Sequence, residues 1–161
     1  MTPDKKYIGV FLVGALWGAV FMFIGGAVYL RHSLIVESEC RQGLEETAAK
    51  IAANAKAYPA WTVQQVPCAA SQASDGSKIA AFRFCNQGYA KMIVEDPSDR
   101  KFSCAIPCAL SLYQKPDGKT YMARLNMPLL ARIIGGIPAE LFPERIAPEQ
   151  RMLLSGILKS P

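Results

Sequence analysis

Five cysteines, at positions 40, 68, 85, 104 and 108, carry most of the chemistry open to this chain. Two of them, Cys104 and Cys108, fall in SCAIPCALSLYQKPDGKTYMA (103–123) with Pro107 between them. Thiols can react, ligate a metal, form disulfides or fill a core. An odd count leaves at least one thiol free or bonded to another chain. Cys104 and Cys108 are four residues apart, roughly 13 Å along a regular strand. A disulfide needs Cα atoms within about 7 Å, so this pair bridges only across a sharp bend at Pro107. The strand order favours an approach of Cys85 to Cys104 or Cys108 instead. Asn86, beside Cys85, reads as a helix cap, and helix amides favour a neighbouring thiolate. Cys85, Asn86, Cys104 and Cys108 are therefore the candidate ligand-binding or redox residues, with Cys85 and Cys108 as the working pair.

Other chemistry finds little support. There is no CxxC or CxxCH, and the single histidine, His32, borders an apolar run. No metal, haem or other cofactor is expected on that basis, and a Ser-His-Asp or Cys-His arrangement would have to use His32. Glu37 and Glu39 share one side of a strand, where a carboxylate pair can do acid–base work, although solvated strand charges are the commoner outcome. No phosphate loop or dinucleotide fingerprint is present. The net charge of +5 comes from scattered Lys and Arg with no basic run. That excludes a nucleic-acid surface and suits anionic lipid headgroups.

The elements that must position these residues can be read from the pattern. Residues 34–40 read as a strand, 41–58 as a helix with Leu44, Ala48, Ile51, Ala55 and Tyr58 on one stripe, and 61–66 as a strand. A polar loop spans 69–78, and 79–85 is a strand. Asn86 caps a helix through 94, and 96–101 is a turn. In a strand over 103–113, Cys104, Ile106, Cys108, Leu110 and Leu112 share one inward face. Pro116-Asp117-Gly118 turns the chain into a strand at 119–126. A helix from Asn126 runs to 134 and stops at Gly135-Gly136. A Pro-rich tail ends in a helix over 148–158. Strands and helices in this order define an α+β fold.

Ahead of this domain (33–161) lies an N-terminal segment (1–32). Its residues 7–30 contain no charge. At about 1.5 Å per residue they reach roughly 36 Å, enough to cross a bilayer core of about 30 Å. The run is longer than the apolar region of a signal peptide, so it reads as an uncleaved single transmembrane helix. Tyr7 and Tyr29 suit the two interfaces. Lys5 and Lys6, against Arg31, keep the N-terminus in the cytoplasm. The domain then lies outside, in the periplasm of a Gram-negative cell, anchored in the inner membrane. Gly14 and Gly18 form a GxxxG pair suited to packing of two membrane helices.

The segments IVESEC, FRFCNQGYAKMIVED and IPCALSLYQKPDGKTYMARLNMPLLARIIGG resemble the domain-of-unknown-function family 302 over about residues 34–142. Phe84-Cys85-Asn86 and Pro107-Cys108, leading into the hairpin from Tyr113 to Tyr121, are the most specific elements. The resemblance implies a TATA-box-protein-like α+β fold, a curved antiparallel sheet with helices on one side, and dimers. The family's biochemical function is not established. Relatives commonly carry a basic residue where this chain has Ala109, and a proline where it has Gln87.

Two functional readings follow. One is a membrane-anchored, extracytoplasmic binding or accessory domain, a homodimer without catalysis, serving a membrane complex or holding a small ligand. The other is a thiol-based redox or sulfur-handling protein using Cys85 and Cys108. If the domain instead faces the cytoplasm, all five thiols are expected to be reduced.

Overall fold

Alternation of apolar and polar residues builds five strands here, and 3.6-residue stripes build the helices that cover them. The computed structural model describes residues 5–67 and 71–159. Cys68 and the adjoining start of the 69–78 loop lie outside the described residues. The chain divides after Leu34 into two compact units.

The first unit holds one helix, α1 (Lys5–Ser33). It is long and apolar enough to cross a membrane. Its side chains from Tyr7 to Leu30 are all exposed, so nothing in its own fold buries them. Such a helix is hydrophobic on every side, the pattern expected of a span in lipid rather than of an amphipathic surface helix.

The second unit begins with β1 (Ile35–Glu39), α2 (Leu44–Lys56), β2 (Trp61–Val66), β3 (Ile79–Asn86) and α3 (Gln87–Glu95). A 3-10 turn (Arg100–Ala105) leads to the hairpin of β4 (Cys108–Gln114) and β5 (Thr120–Leu125). Then come α4 (Met127–Ile134), α5 (Gly136–Leu141), a π-helical turn (Phe142–Ile146) and α6 (Ala147–Leu153). The strands form one antiparallel sheet in the order β1-β5-β4-β3-β2. The fold is α+β, as the sequence implies.

Because side chains alternate across a strand, the register fixes which residues share a face. Phe82 and Phe84 of β3, Leu110 and Leu112 of β4, and Met122 of β5 are all buried. Ile51 of α2, Ile93 of α3, Ala131 of α4 and Leu153 of α6 are buried with them in one core. A fully buried side chain such as Leu112 contributes about 1.5–3 kcal/mol. The opposite face carries Ala81, Arg83 and Cys85 of β3, Ala109 and Ser111 of β4, and Ala123 of β5, all exposed or half-buried.

Three local expectations are corrected. The strand expected over 103–113 starts only at Cys108, because Pro107 has no N–H for a ladder bond and the preceding residues coil into the 3-10 turn. Cys104 therefore does not share an inward strand face with Cys108; it is exposed on that turn. The helix expected over 41–58 begins at Leu44, with Gly43 as its N-cap. The final helix, expected over 148–158, is Ala147–Leu153 and ends earlier. Three helical segments run through the tail from Gly136 to Leu153, and Leu158 bridges back to Cys40. Pro143 and Pro148 sit in first turns, where a missing N–H costs nothing.

The tail belongs to the core. Phe142, Ile146, Leu153, Leu154 and Ile157 are buried. Asn54 Nδ2 donates to Leu153 O at 2.7 Å, Arg41 N to Ile157 O at 2.9 Å and Lys159 N to Glu39 O at 3.0 Å.

Candidate functional site

At one end of the sheet, the start of β4 lies between the end of β3 and the end of β5. Phe84 is directly opposite Cys108, and Arg124 is directly opposite Leu110. By the two-residue period, Cys108 and Arg124 both point toward the helix-covered face, where α6 brings in Gln150. These residues, with Met127 at the start of α4 and Leu154 just beyond α6, line a narrow cleft whose free space of about 20 Å³ has room for about one water molecule.

Burial raises the Cys108 thiol to about 11, opposed only in part by a hydrogen bond with Gln150. The Arg124 guanidinium is pushed the other way, first by burial and then by the nearby cation of Arg151. The cleft thus holds a protonated thiol, a primary amide and a half-buried cation against apolar walls.

Register turns the pair expected to work together toward opposite faces, while Cys85 stays near enough for its charge to help raise the Cys108 thiol. Cys85 lies opposite Thr62 on β2 and one residue beyond Phe84, so it points to the uncovered face while Cys108 points to the covered one. Cys40, Cys85, Cys104 and Cys108 are all free thiols. The expected cross-strand approach of Cys85 to Cys104 or Cys108 does not form a bridge. Asn86 caps α3 as expected, its Oδ1 accepting from Gly88 N at 3.0 Å and Tyr89 N at 3.4 Å.

Beside the cleft, Glu149 of α6 clamps two aromatic residues. Trp61 Nε1 donates to one carboxylate oxygen at 2.7 Å, and the Tyr89 hydroxyl donates to the other. That hydrogen bond raises the Tyr89 phenol above its usual value, with burial adding to it. The rings of Trp61 and Tyr89 meet edge to face at 6.2 Å. Both carboxylate oxygens accept from protein groups, so the cluster joins β2, α3 and α6.

Glu37 and Glu39 do not form an acid–base pair. Glu37 is bound by Lys115, whose hydrogen bond holds its carboxyl below the usual range. Glu39 is bound by Lys159 and Lys119, with the same result. Both stay ionised at neutral pH. Near Glu37, Tyr113 and Tyr121 stack at 6.2 Å and Lys115 lies 3.9 Å over the Tyr121 ring.

The uncovered face carries a second feature. A shallow groove of about 540 Å³, counting its open side, runs across β1, β3, β4 and β5, with Ala81, Ala109, Ser111 and Ala123 as its floor. Ile35 and Leu125 flank it and are 59% and 48% exposed. These are high values for large aliphatic side chains, and they mark this face as one able to bury more area.

Sequence reasoning placed Cys85, Asn86 and Cys108 near one end of the sheet and missed Arg124, Gln150 and Glu149. Alternation in TYMARL was the available signal for Arg124, since it puts a charge on the face of Thr120 and Met122.

The class defined by fold and site is an open-sheet α+β domain that follows an apolar helix in the sequence, with a thiol- and arginine-lined cleft. Its fold matches the crystal structure described as "uncharacterized conserved protein DUF302 from Bacillus stearothermophilus". The TM-score is 0.57 at 18% identity, over 77% of this chain and 95% of that one. This likeness supports the fold that the sequence resemblance implied. No family model and no curated protein matches the chain.

Proposed function

We propose that this chain is a membrane-anchored binding domain without catalysis of its own, working as a homodimer. In this reading α1 spans the inner membrane with its N-terminus in the cytoplasm, and the sheet domain works in the periplasm, beside a membrane complex. The uncovered sheet face is the observation that carries the reading. Its floor of Ala and Ser lets another backbone approach closely, and exposed Ile35 and Leu125 supply apolar area at the edge. A second copy meeting the same face would bury the same patch on both partners. Gly14 and Gly18, one turn apart on α1, offer a further close contact in the bilayer.

Mass measurement of the full chain in uncharged detergent tests this. The wild type is expected as two chains, and Ala109→Arg, which places a charge on the groove floor, as one chain. A single-chain wild type would refute the dimer. Dissociation by Gly14→Leu/Gly18→Leu, but not by Ala109→Arg, would move the contact from the sheet to the membrane helix.

The thiol reading is less well supported. With its proton held to about pH 11, Cys108 is a thiolate in only on the order of one molecule in ten thousand at pH 7. In cells with a permeabilised outer membrane, a membrane-impermeant maleimide is expected to label exposed Cys104 and to spare Cys108. Cys108 should react only after unfolding. Rapid native labelling of Cys108 would restore the thiol reading. Labelling of Cys104 only after lysis would place the domain on the cytoplasmic side.

A further inference from the structure

Eight residues line the groove on the uncovered face, and six of them are apolar. The two polar ones are Ser111 and Arg124. Its space of about 540 Å³, open side included, is in the range of small-molecule sites, about 300–1,000 Å³. The cleft beside Cys108 is far smaller. An isologous partner brings the same groove to this face, and one groove does not fill another. The hollow therefore calls for a third molecule, apolar over most of its length and able to lie on a floor of Ala81, Ala109 and Ala123.

Chain length says where that molecule comes from. Ile35, on the rim of the groove, is the second residue after Ser33, which ends α1. Two residues of extended chain span about 7 Å at most. With α1 across a bilayer, the chain itself ties the rim to the end of the span, and the apolar chains nearest to hand are those of lipids. Charge agrees. Arg124 lines the groove and makes no ion pair among the described residues. Arg83, opposite Ala109, is exposed on the same face. Glu37 and Glu39, the carboxylates of β1 on this face, are held by lysines. Cations beside an apolar trough suit an anionic headgroup above its acyl chain.

We propose that the groove takes one acyl chain of an anionic phospholipid from the membrane that holds α1, with the headgroup phosphate at Arg124. The proposal rests on the reading of α1 as a membrane span.

The test uses the full chain in vesicles of phosphatidylethanolamine and phosphatidylglycerol. A trace of the phosphatidylglycerol carries a diazirine at the end of one acyl chain. In a bilayer that end lies about 15 Å from the edge of the hydrocarbon core, so it meets β4 or β5 only by entering the groove. After illumination and digestion, mass spectrometry should find label on α1 and on residues 108–125. Ala123→Trp fills the floor and should lose the second label while keeping the first. Ser111→Leu should do the same, which keeps the test decisive if Ala123→Trp fails to fold. The same diazirine on phosphatidylcholine should label 108–125 more weakly, because a zwitterionic headgroup offers Arg124 no net charge.

Label on α1 alone would overturn the proposal, as would label on 108–125 that survives both substitutions. Equal labelling of 108–125 by the two lipids would overturn the part given to Arg124. Failure of the underlying reading looks different, because α1 itself would then carry no label.

Discussion

Gly136→Ala is expected to destabilise the domain by about 2–4 kcal/mol, more than any other single methyl addition at a glycine in this fold. Two costs add at this position. The backbone sits at φ +65°, a left-handed conformation that costs an L-residue with a Cβ about 1–2 kcal/mol. The new Cβ would also lie 2.7 Å from Asp99 Oδ2 and nearer still to Oδ1. Asp99 has little room to yield. Its carboxylate is buried, accepts Ile137 N–H at 2.7 Å and joins the turn after α3 to the first turn of α5. Gly118 separates the two costs, because its φ is +78° but a Cβ there meets open space. Gly118→Ala should therefore lose only the backbone part, about 1 kcal/mol. Urea unfolding of the full chain in detergent, followed by circular dichroism, gives the comparison. In the double variant with Asp99→Ala, the Gly136→Ala effect should shrink toward that of Gly118→Ala. Equal losses at the two glycines would remove the steric argument.

The Asp99–Ile137 contact spans thirty-eight residues of sequence and illustrates what a linear reading leaves out. Elements whose cause is local were legible. The period of 2 in WTVQQV and IAAFRFC, the Asn86 cap and the Pro116-Asp117-Gly118 turn act within a few residues, and the structure carries each of them. The start of β4 was not legible, because alternation continues through SCAIPC while Pro107 interrupts the ladder. The tail was legible in part: a helix from Pro148 is expected and present, but the two helical segments before it, which hold Pro138 and Pro143 and whose apolar residues close the core, were not read.

The candidate site divides along the same line. Cys85, Asn86 and Cys108 belong to short motifs, and their position at one sheet end follows from strand order. That Cys85 and Cys108 face opposite ways follows only from register, which the sequence leaves open until Phe84 is known to lie opposite Cys108. Gln150 and Glu149 come from a helix that the sequence did not place over the sheet. Arg124 makes no ion pair among the described residues, and no motif reports a missing carboxylate.

Stability is expected to fall by about 2–3 kcal/mol between about pH 9 and about pH 11 on account of Cys108 alone. Burial disfavours the thiolate, so the native state holds this proton more tightly than the unfolded chain, where the thiol titrates near 9.0. The stabilisation is complete below the unfolded value and is lost as pH rises through the folded one. Tyr89, Tyr113 and Tyr121 are also raised, and they add their own alkaline slopes. The informative quantity is therefore the difference between wild type and Cys108→Ser, whose hydroxyl stays protonated across this range and can keep a hydrogen bond with Gln150. Unfolding free energies of both proteins, measured from pH 8 to about pH 11.5, should converge as pH rises if the Cys108→Ser variant is the less stable of the two at pH 8. A wild-type curve that parallels the variant throughout would mean that Cys108 meets solvent in the folded state. The thiol would then be free to ionise, and the non-catalytic reading of the cleft would lose its main electrostatic support.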